Sequence, residues 1–199
     1  MLFRSLGAPA TGHIADLTVE SEVRRLVADV VARHERIDIL VNNAGMVSLG
    51  TDAESGRLAD LSLATWQAGM RRNLDSVFLT TREVVPGMAE RGWGRIVSVA
   101  SVTGPVMAMA HEAAYAAAKA GVVGLMRSVA LDEAGRGITA NAVAPGWIAT
   151  GSQTAAEADH GRRTPMGRSG TADEVAAAIA WLCSPAARSE EHTSELQSH

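Results

Sequence analysis

The sequence predicts an α/β protein with a doubly wound parallel sheet, and two observations support this fold class. Short β-branched apolar runs alternate with helical stretches, and the runs end at turns rich in asparagine, glycine or proline. At 199 residues, with 47% hydrophobic residues, the chain is long enough for one domain with a sizeable core. Because strand and helix alternate throughout, we expect right-handed crossovers with helices on both faces of the sheet.

Apolar residues at helical spacing predict four helical stretches, over residues 19–34, 63–90, 113–134 and 172–182. Thr18 is available as a cap for the first of them. Thr171 and Glu174 form a capping box that opens the last.

Continuous apolar runs that stop at turns predict three strands buried on both faces, over residues 37–41, 96–99 and 138–143. The segment 152–165 has no apolar period. Two interpretations of it stay open, a mobile lid that closes over a substrate and a disordered connector.

Composition excludes several classes of function. The formal charge of −4, the pI near 5.9 and the absence of a basic run argue against nucleic acid and anionic membrane surfaces as partners, which favours a small molecule. Cys183 is the single cysteine, expected to be buried and inert, and no zinc or HExxH pattern is present, so no metal site is predicted. Without a signal peptide or a spanning apolar run, we expect a cytoplasmic protein.

Tyr115 is the only tyrosine and Lys119 the only lysine, four residues further along a predicted helix. Residues at this offset share one helix face. An ammonium beside a phenol favours the phenolate, so we expect Lys119 to lower the pKa of Tyr115 towards that of a general acid/base. The alternative is a surface tyrosine beside a lysine that extends into solvent.

The neighbouring motifs resemble those of the short-chain dehydrogenase/reductase family, single-domain enzymes with a Rossmann-type fold. The resemblance covers residues 16–185 and is carried by an ordered set of motifs: Asn42-Asn43-Ala44-Gly45, Asn73-Leu74, Gly94-Arg95-Ile96-Val97 before Ser101, Tyr115-Ala116-Ala117-Ala118-Lys119, Pro145-Gly146-Trp147-Ile148-Ala149-Thr150 and Pro165-Met166-Gly167-Arg168. It implies hydride transfer between NAD or NADP and an alcohol or carbonyl substrate.

The resemblance implies four catalytic residues. Tyr115 would give or take the proton at the substrate oxygen, and Lys119 would lower the pKa of Tyr115 and bind the nicotinamide ribose. Ser101, a better match than Ser98, would hold the reacting oxygen. Asn73 would hold a water in a proton relay that leads to Lys119.

The resemblance also implies a cofactor site. Asp16 and Leu17 would lie at the adenine, although an aspartate before a helix also caps it. The other implied cofactor residues follow strands: Asn43, Ala44, Gly45, Pro145, Gly146, Ile148 and Thr150. Asn43 is expected to tie neighbouring strands together, and the last two would meet the nicotinamide carboxamide. Met107, Met109 and Trp147 line a substrate pocket in one interpretation and serve packing in the other.

Both ends of the chain depart from the family pattern. The sequence contains no Thr-Gly-x-x-x-Gly-x-Gly phosphate turn, since Thr11-Gly12 lacks the later glycines. We therefore expect the domain, residues 1–187, to lack the first two strands and the last strand and to have impaired folding and activity. Residues 188–199 resemble a translated sequencing adapter.

The segment that selects NAD or NADP is among the parts missing from the sequence, so the choice between them stays open. The intact parent is expected to form homo-oligomers through its two long helices. A non-catalytic relative that binds a dinucleotide or a protein is the alternative function.

Overall fold

The structure, a computed structural model, describes residues 10–45, 56–151 and 153–187. Its centre is a parallel three-stranded sheet in the order β1-β2-β3, formed by β1 (Ile39–Asn42), β2 (Gly94–Val99) and β3 (Ile138–Val143). Val41 pairs with Val97, and Val97 pairs with Asn141. The predicted strands and their parallel arrangement are therefore confirmed, but the predicted burial on both faces is wrong for β1, where Ile39 and Val41 are more than 40% exposed.

Six α-helices surround this sheet: α1 (Glu20–His34), α2 (Leu63–Met70), α3 (Ser76–Arg91), α4 (Ala113–Glu133), α5 (Ala155–Arg162) and α6 (Ala172–Leu182). The predicted helical stretch 63–90 is continuous, but a π-helical turn over Arg71–Asp75 separates α2 from α3. Short 3-10 turns occupy Leu58–Asp60 and Ala134–Arg136.

Helices pack on both faces of the sheet. On one face, Ile96 of β2 is fully buried in a cluster that includes Met88 of α3 and Val122 of α4. Arg95, the preceding residue, points to the other face because side chains alternate along a strand. Its guanidinium donates to the carbonyl of Ser184, just beyond α6. This two-sided covering is the doubly wound arrangement that the sequence predicts.

One helix of the described residues is long and apolar enough to span a membrane, α4 together with the turn that follows it, residues 113–136. Ala118, Val122 and Met126 on this helix are buried, and α4 packs closely against β3. The same composition is expected of the core helix of a folded domain.

The chain before α1 differs from the capping prediction. Val19, not Thr18, is the N-cap residue of α1, and no side chain caps the helix. The Thr18 hydroxyl and amide instead donate to Asp16 Oδ1, at 2.7 and 2.9 Å, in a local turn. Residues 12–17 form no strand, and Ile14 is 99% exposed.

The segment 152–165 contains a helix that apolar periodicity did not predict. Thr154 and Glu157 form a capping box that opens α5, so the disordered-connector interpretation is wrong for residues 155–162. Two short strands, β4 (Ile148–Ala149) and β5 (Gly170–Thr171), flank this segment in the sequence and pair in parallel. The lid interpretation stays a prediction. The adapter-like residues 188–199 lie outside the described part of the chain.

Candidate active site

Tyr115 and Lys119 lie on the same side of α4, one helical turn apart. Lys119 Nζ is 5.6 Å from the centre of the Tyr115 ring and donates a 2.8 Å hydrogen bond to the carbonyl oxygen of Val99. Val99 is the last residue of β2, so this bond fixes the ammonium at the carboxyl end of the sheet. In doubly wound sheets, ligands bind at this end.

Burial controls the protonation of both side chains. Lys119 is only 4% exposed, and loss of hydration lowers its pKa from 10.5 to about 8. Burial raises the pKa of Tyr115 above its ordinary value, the hydrogen bond with Ser101 opposes this, and the charges of Glu112 and Glu157 add to it. The expected lowering of the Tyr115 pKa by Lys119 is therefore not found, because desolvation is the largest cause of the shift and Lys119 is not among its causes.

Ser101, not Ser98, shares a cavity lining with Tyr115. Hydrogen bonding from the Ser101 side chain lowers the pKa of the Tyr115 phenol, and Ser101 Oγ accepts from the amide of Thr103 at 3.1 Å. Ser98 is fully buried, where its hydroxyl donates to Met126 Sδ at 3.1 Å. The structure thus brings Ser101 and Tyr115 together.

Asn73 lies at the centre of the π-helical turn and is 1% exposed. Its Nδ2 donates to the carbonyl of Gly69 at 3.1 Å. A Cβ added to Gly45 would lie 2.9 Å from Asn73 Oδ1 and 3.2 Å from Lys119 Nζ, so both polar atoms lie next to Gly45. Single π turns often mark functional sites. Glycine at position 45 leaves the approach to Lys119 open.

Asn42 is the asparagine that ties neighbouring strands together, so the prediction that named Asn43 for this role is wrong. Asn42 Nδ2 donates to Ser98 Oγ on β2 at 3.1 Å, and Asn42 Oδ1 accepts from the Thr80 hydroxyl at 2.8 Å. Asn43, Ala44 and Gly45 are exposed beyond the end of β1. Successive side chains on a strand point in opposite directions, which explains the exchange of roles.

Asp16 and Leu17 lie apart from the catalytic pair. Asp16 is fully exposed, and its pKa is lowered by the hydrogen bonds from Thr18. Leu17 lines a cavity of about 210 Å³ together with Asn43 and Ala44. The structure therefore brings Leu17 next to the residues that follow β1, while the adenine contact of Asp16 stays a prediction.

A cavity of about 280 Å³ opens beside Tyr115. Its lining combines the catalytic side chains with the turn after β3 and with the start of α5: Ser101, Val102, Thr103, Met107, Met109, Glu112, Tyr115, Gly146, Trp147, Ile148, Thr150, Gln153 and Glu157. The carbonyl of Pro145 accepts from the Val102 amide at 3.0 Å, which ties the turn to the Ser101 loop. Met107, Met109 and Trp147 thus line a cavity, as one interpretation expects.

Two carboxylates of this cavity were not identified from the sequence. Glu112 is half-buried, and burial raises the pKa of its carboxyl. Glu157 belongs to the overlooked capping box of α5. Glu112 precedes Tyr115 by three residues, a spacing that places both on one helix face, and the Thr-x-x-Glu pattern marks Glu157. Both signals are therefore present in the sequence.

Comparisons with known proteins identify relatives of this chain. A family profile described as enoyl-(acyl carrier protein) reductase matches residues 2–190. Over 184 residues, the chain is 38% identical to 3-oxoacyl-[acyl-carrier-protein] reductase FabG of Salmonella typhimurium, a match that covers 90% of this chain and 72% of the relative. It is 36% identical over 192 residues to D-beta-hydroxybutyrate dehydrogenase of Cupriavidus necator, with 88% and 72% covered.

Among solved structures, levodione reductase superposes with a TM-score of 0.84 at 32% sequence identity, covering 92% of this chain and 74% of the other. The family match includes the sheet, all six helices and the cavity beside Tyr115. By sequence and by fold, the chain belongs to the short-chain dehydrogenase/reductase family of oxidoreductases.

Proposed function

We propose that the protein transfers a hydride between NAD or NADP and an alcohol or carbonyl substrate, with Tyr115 as the general acid/base. The observation that supports this most is that Ser101 and Tyr115 line one cavity, with the Lys119 ammonium 5.6 Å from the centre of the phenol ring. A phenol and a second hydroxyl can donate hydrogen bonds to a developing alkoxide, and a nearby cation stabilises negative charge there.

Each residue has a distinct task in this proposal. Ser101 donates a hydrogen bond to the reacting oxygen, and Tyr115 donates a proton to it during carbonyl reduction. The fixed charge of Lys119 stabilises the phenolate that remains. Asn73, next to Lys119, connects the pair to water. In alcohol oxidation the same groups act in reverse.

The residues present fit the nicotinamide half of such a cofactor. The lack of a side chain at Gly45 keeps the space above Asn73 and Lys119 open. Bound NAD(P) would supply or accept the hydride. Two sets of residues would hold it: Tyr115, Lys119, Pro145, Gly146, Ile148 and Thr150 at the nicotinamide half, and Asp16, Leu17, Asn43, Ala44 and Gly45 at the adenosine half.

We extend the proposal to partners and location. The cavity of about 280 Å³ is sized for a small molecule, and the net charge of −4 disfavours nucleic acid and anionic membranes as partners. A homo-oligomer built through the two long helices and a cytoplasmic location complete the proposal. Sedimentation and fractionation of the protein in its source cell test these two points.

The test is NAD(P)H oxidation with a panel of carbonyl compounds. Two forms are assayed, the printed chain and the same chain preceded by the first strand, phosphate turn and helix of a relative. We expect turnover in the extended form and a loss of about 10³-fold or more in kcat with Tyr115→Phe, because the proton donor is removed. Phe78→Tyr is the control, because it also changes the number of phenol groups in the protein but lies on another helix.

Turnover that survives Tyr115→Phe would contradict the proposed mechanism. A protein that binds NAD(P)H but reduces no carbonyl compound would favour the alternative, a non-catalytic dinucleotide-binding relative. Both results are separable from misfolding by circular dichroism of the same samples.

A further inference from the structure

The cavity beside Tyr115 carries two carboxylates and no cation. Glu112 and Glu157 both belong to its lining, and none of its described lining residues is lysine, arginine or histidine. The arginines near α5 are engaged elsewhere. Arg162 and Arg163 pair with Asp159, and Arg168 pairs with Glu174 at 2.6 Å.

The negative charge of Glu157 is held in place by its own helix. Its Oε2 accepts hydrogen bonds from the amide and the hydroxyl of Thr154, at 2.7 and 2.9 Å. The positive end of the α5 helix dipole adds to the stabilisation of a carboxylate there. These hydrogen bonds hold the Glu157 carboxylate in a fixed position at the cavity wall.

Glu112 has no such local function. It is the N-cap residue of α4, yet its side chain accepts no capping hydrogen bond. Burial raises the pKa of its carboxyl, and among the described residues His111 is the neighbour that opposes this shift. A half-buried carboxylate that faces a cavity gains most from a donor or a cation supplied by a ligand.

Two histidines lie near the cavity, and neither reverses the sign of its charge. His111 is exposed beside Glu112. His160 stacks on Trp147, with ring centroids 4.8 Å apart, and is also exposed. Neither histidine belongs to the residues that line the cavity, so the two carboxylates are its charged side chains.

We propose that Glu112 and Glu157 select substrates by charge, so that the enzyme prefers alcohols or ketones that carry an ammonium group near the reacting carbon and disfavours those that carry a carboxylate there. Glu112 contacts the ammonium, and Glu157 contributes through its charge. This inference rests on the proposed function. It also separates this chain from the relative named D-beta-hydroxybutyrate dehydrogenase, whose name specifies a carboxylate substrate.

The test compares three secondary alcohols of equal chain length, 4-aminobutan-2-ol, butane-1,3-diol and 3-hydroxybutyrate, at pH 7.5. We expect kcat/KM to fall about tenfold or more from the amine to the diol, and again from the diol to the acid, because the terminal group changes from attraction to repulsion. Glu112→Gln should reduce the amine-to-acid ratio about tenfold, and Glu157→Gln by a smaller factor.

The variants are chosen to keep the fold. Glutamine serves at the third position of a capping box, so Glu157→Gln retains the start of α5. Glu90→Gln, an exposed carboxylate on α3, is the matched control and should leave the ratio unchanged. Circular dichroism of each variant confirms that the fold is retained.

Calorimetric dissociation constants of the same three alcohols, measured on the printed chain, decide the inference independently of turnover. Tighter binding of the amine than of the acid, weakened in Glu112→Gln, supports it even if no alcohol is oxidised, a result that would defeat only the proposed function. Equal or tighter binding of the acid than of the amine overturns the inference. An amine-to-acid ratio that is unchanged when Glu112→Gln and Glu157→Gln are combined also overturns it, and either result leaves the oxidoreductase assignment intact.

Discussion

Burial moves the pKa values of Tyr115 and Lys119 in opposite directions, upwards for the phenol and down to about 8 for the ammonium. At neutral pH the phenol therefore keeps its proton while the lysine still carries most of its charge. An acid beside a cation is the state required to protonate an alkoxide. If the protein has the proposed function, this state suits carbonyl reduction at neutral pH, and alkaline pH should favour the reverse direction.

Lys119 should make the folded protein less stable at neutral pH. Its folded pKa of about 8 lies below the ordinary 10.5, so the burial penalty is complete below about pH 8 and disappears as pH rises towards 10.5. The difference corresponds to about 3 kcal/mol. Lys119→Met removes this penalty and leaves the Val99 carbonyl without its donor, a cost of about 1–3 kcal/mol, so the net gain at pH 7 should be about 0–2 kcal/mol.

Urea denaturation at pH 7 and pH 9.5 checks this prediction. The advantage of Lys119→Met should shrink at the higher pH, whereas Arg127→Met, at an exposed position of α4, should show no such trend. A stability difference that is constant with pH would contradict the assigned pKa of Lys119.

Asn42 and Asn43 should differ sharply in their contribution to stability. Asn42 is buried and hydrogen-bonds Thr80, Thr81 and Ser98, so Asn42→Ala leaves buried partners unsatisfied and should cost about 1–3 kcal/mol. Asn43 is exposed, and Asn43→Ala should change the free energy of unfolding by less than about 0.5 kcal/mol. Equal losses in urea denaturation would refute the exchange of roles.

The motif itself could not distinguish these two asparagines. The sequence predicts that β1 ends near Asn42, but a difference of one residue decides which side chain faces the core. The Tyr115–Lys119 pair was predictable because helical spacing alone places both on one face. Their pKa values were not, since desolvation depends on the elements packed around them.

At the scale of elements, α5 and α6 show what sequence patterns reveal. Both helices open with a Thr-x-x-Glu capping box. Apolar residues follow Thr171 at helical spacing, which marks α6, whereas the residues after Thr154 are small or polar and have no apolar stripe. The π turn at Arg71–Asp75 also escaped prediction, because one inserted residue barely alters the hydrophobic period.

The loop that carries Ser101 depends on a close approach to α4 at Gly104. This glycine has φ of +108°, and a side chain there would collide with the backbone of Ala116. Gly104→Ala should displace the Ser101–Tyr115 contact, reduce kcat/KM at least about tenfold and destabilise the fold by about 1–3 kcal/mol.

Gly124→Ala, a substitution on α4 itself, is the matched control for Gly104→Ala. No atom lies within 4 Å of a Cβ at this exposed helical position, so the substitution should stabilise the protein by about 0.5–1 kcal/mol and leave kcat/KM unchanged. Steady-state kinetics and thermal denaturation measure both effects. Unchanged kinetics in Gly104→Ala would show that the loop position does not depend on this approach.

At the scale of the whole molecule, alternation of strand and helix was enough to predict a parallel sheet covered on both faces. The order β1-β2-β3 follows from the crossover rules once the strands are located. The small β4-β5 sheet could not be predicted, since its strands have two residues each and leave no periodic signal.

The outer edge of β1 has no strand partner among the residues that the structure describes, and two of its apolar side chains, Ile39 and Val41, are more than 40% exposed. An exposed apolar edge offers unpaired backbone groups to a second chain. We therefore expect the printed chain to associate with itself at micromolar concentration. Val41→Lys should reduce this association, because a lysine on an edge strand opposes pairing, at a cost of less than about 0.5 kcal/mol in stability.

Sedimentation velocity over a concentration series measures this association. Leu63→Lys is the control, since Leu63 is 70% exposed at the start of α2, away from the sheet edge, and equal dispersal by both substitutions would locate the contact elsewhere. The extended form used in the activity assay supplies further strands of the family fold. If these strands cover β1, its association should fall without any substitution, and Val41→Lys should then destabilise it because the lysine would meet a strand partner in place of solvent.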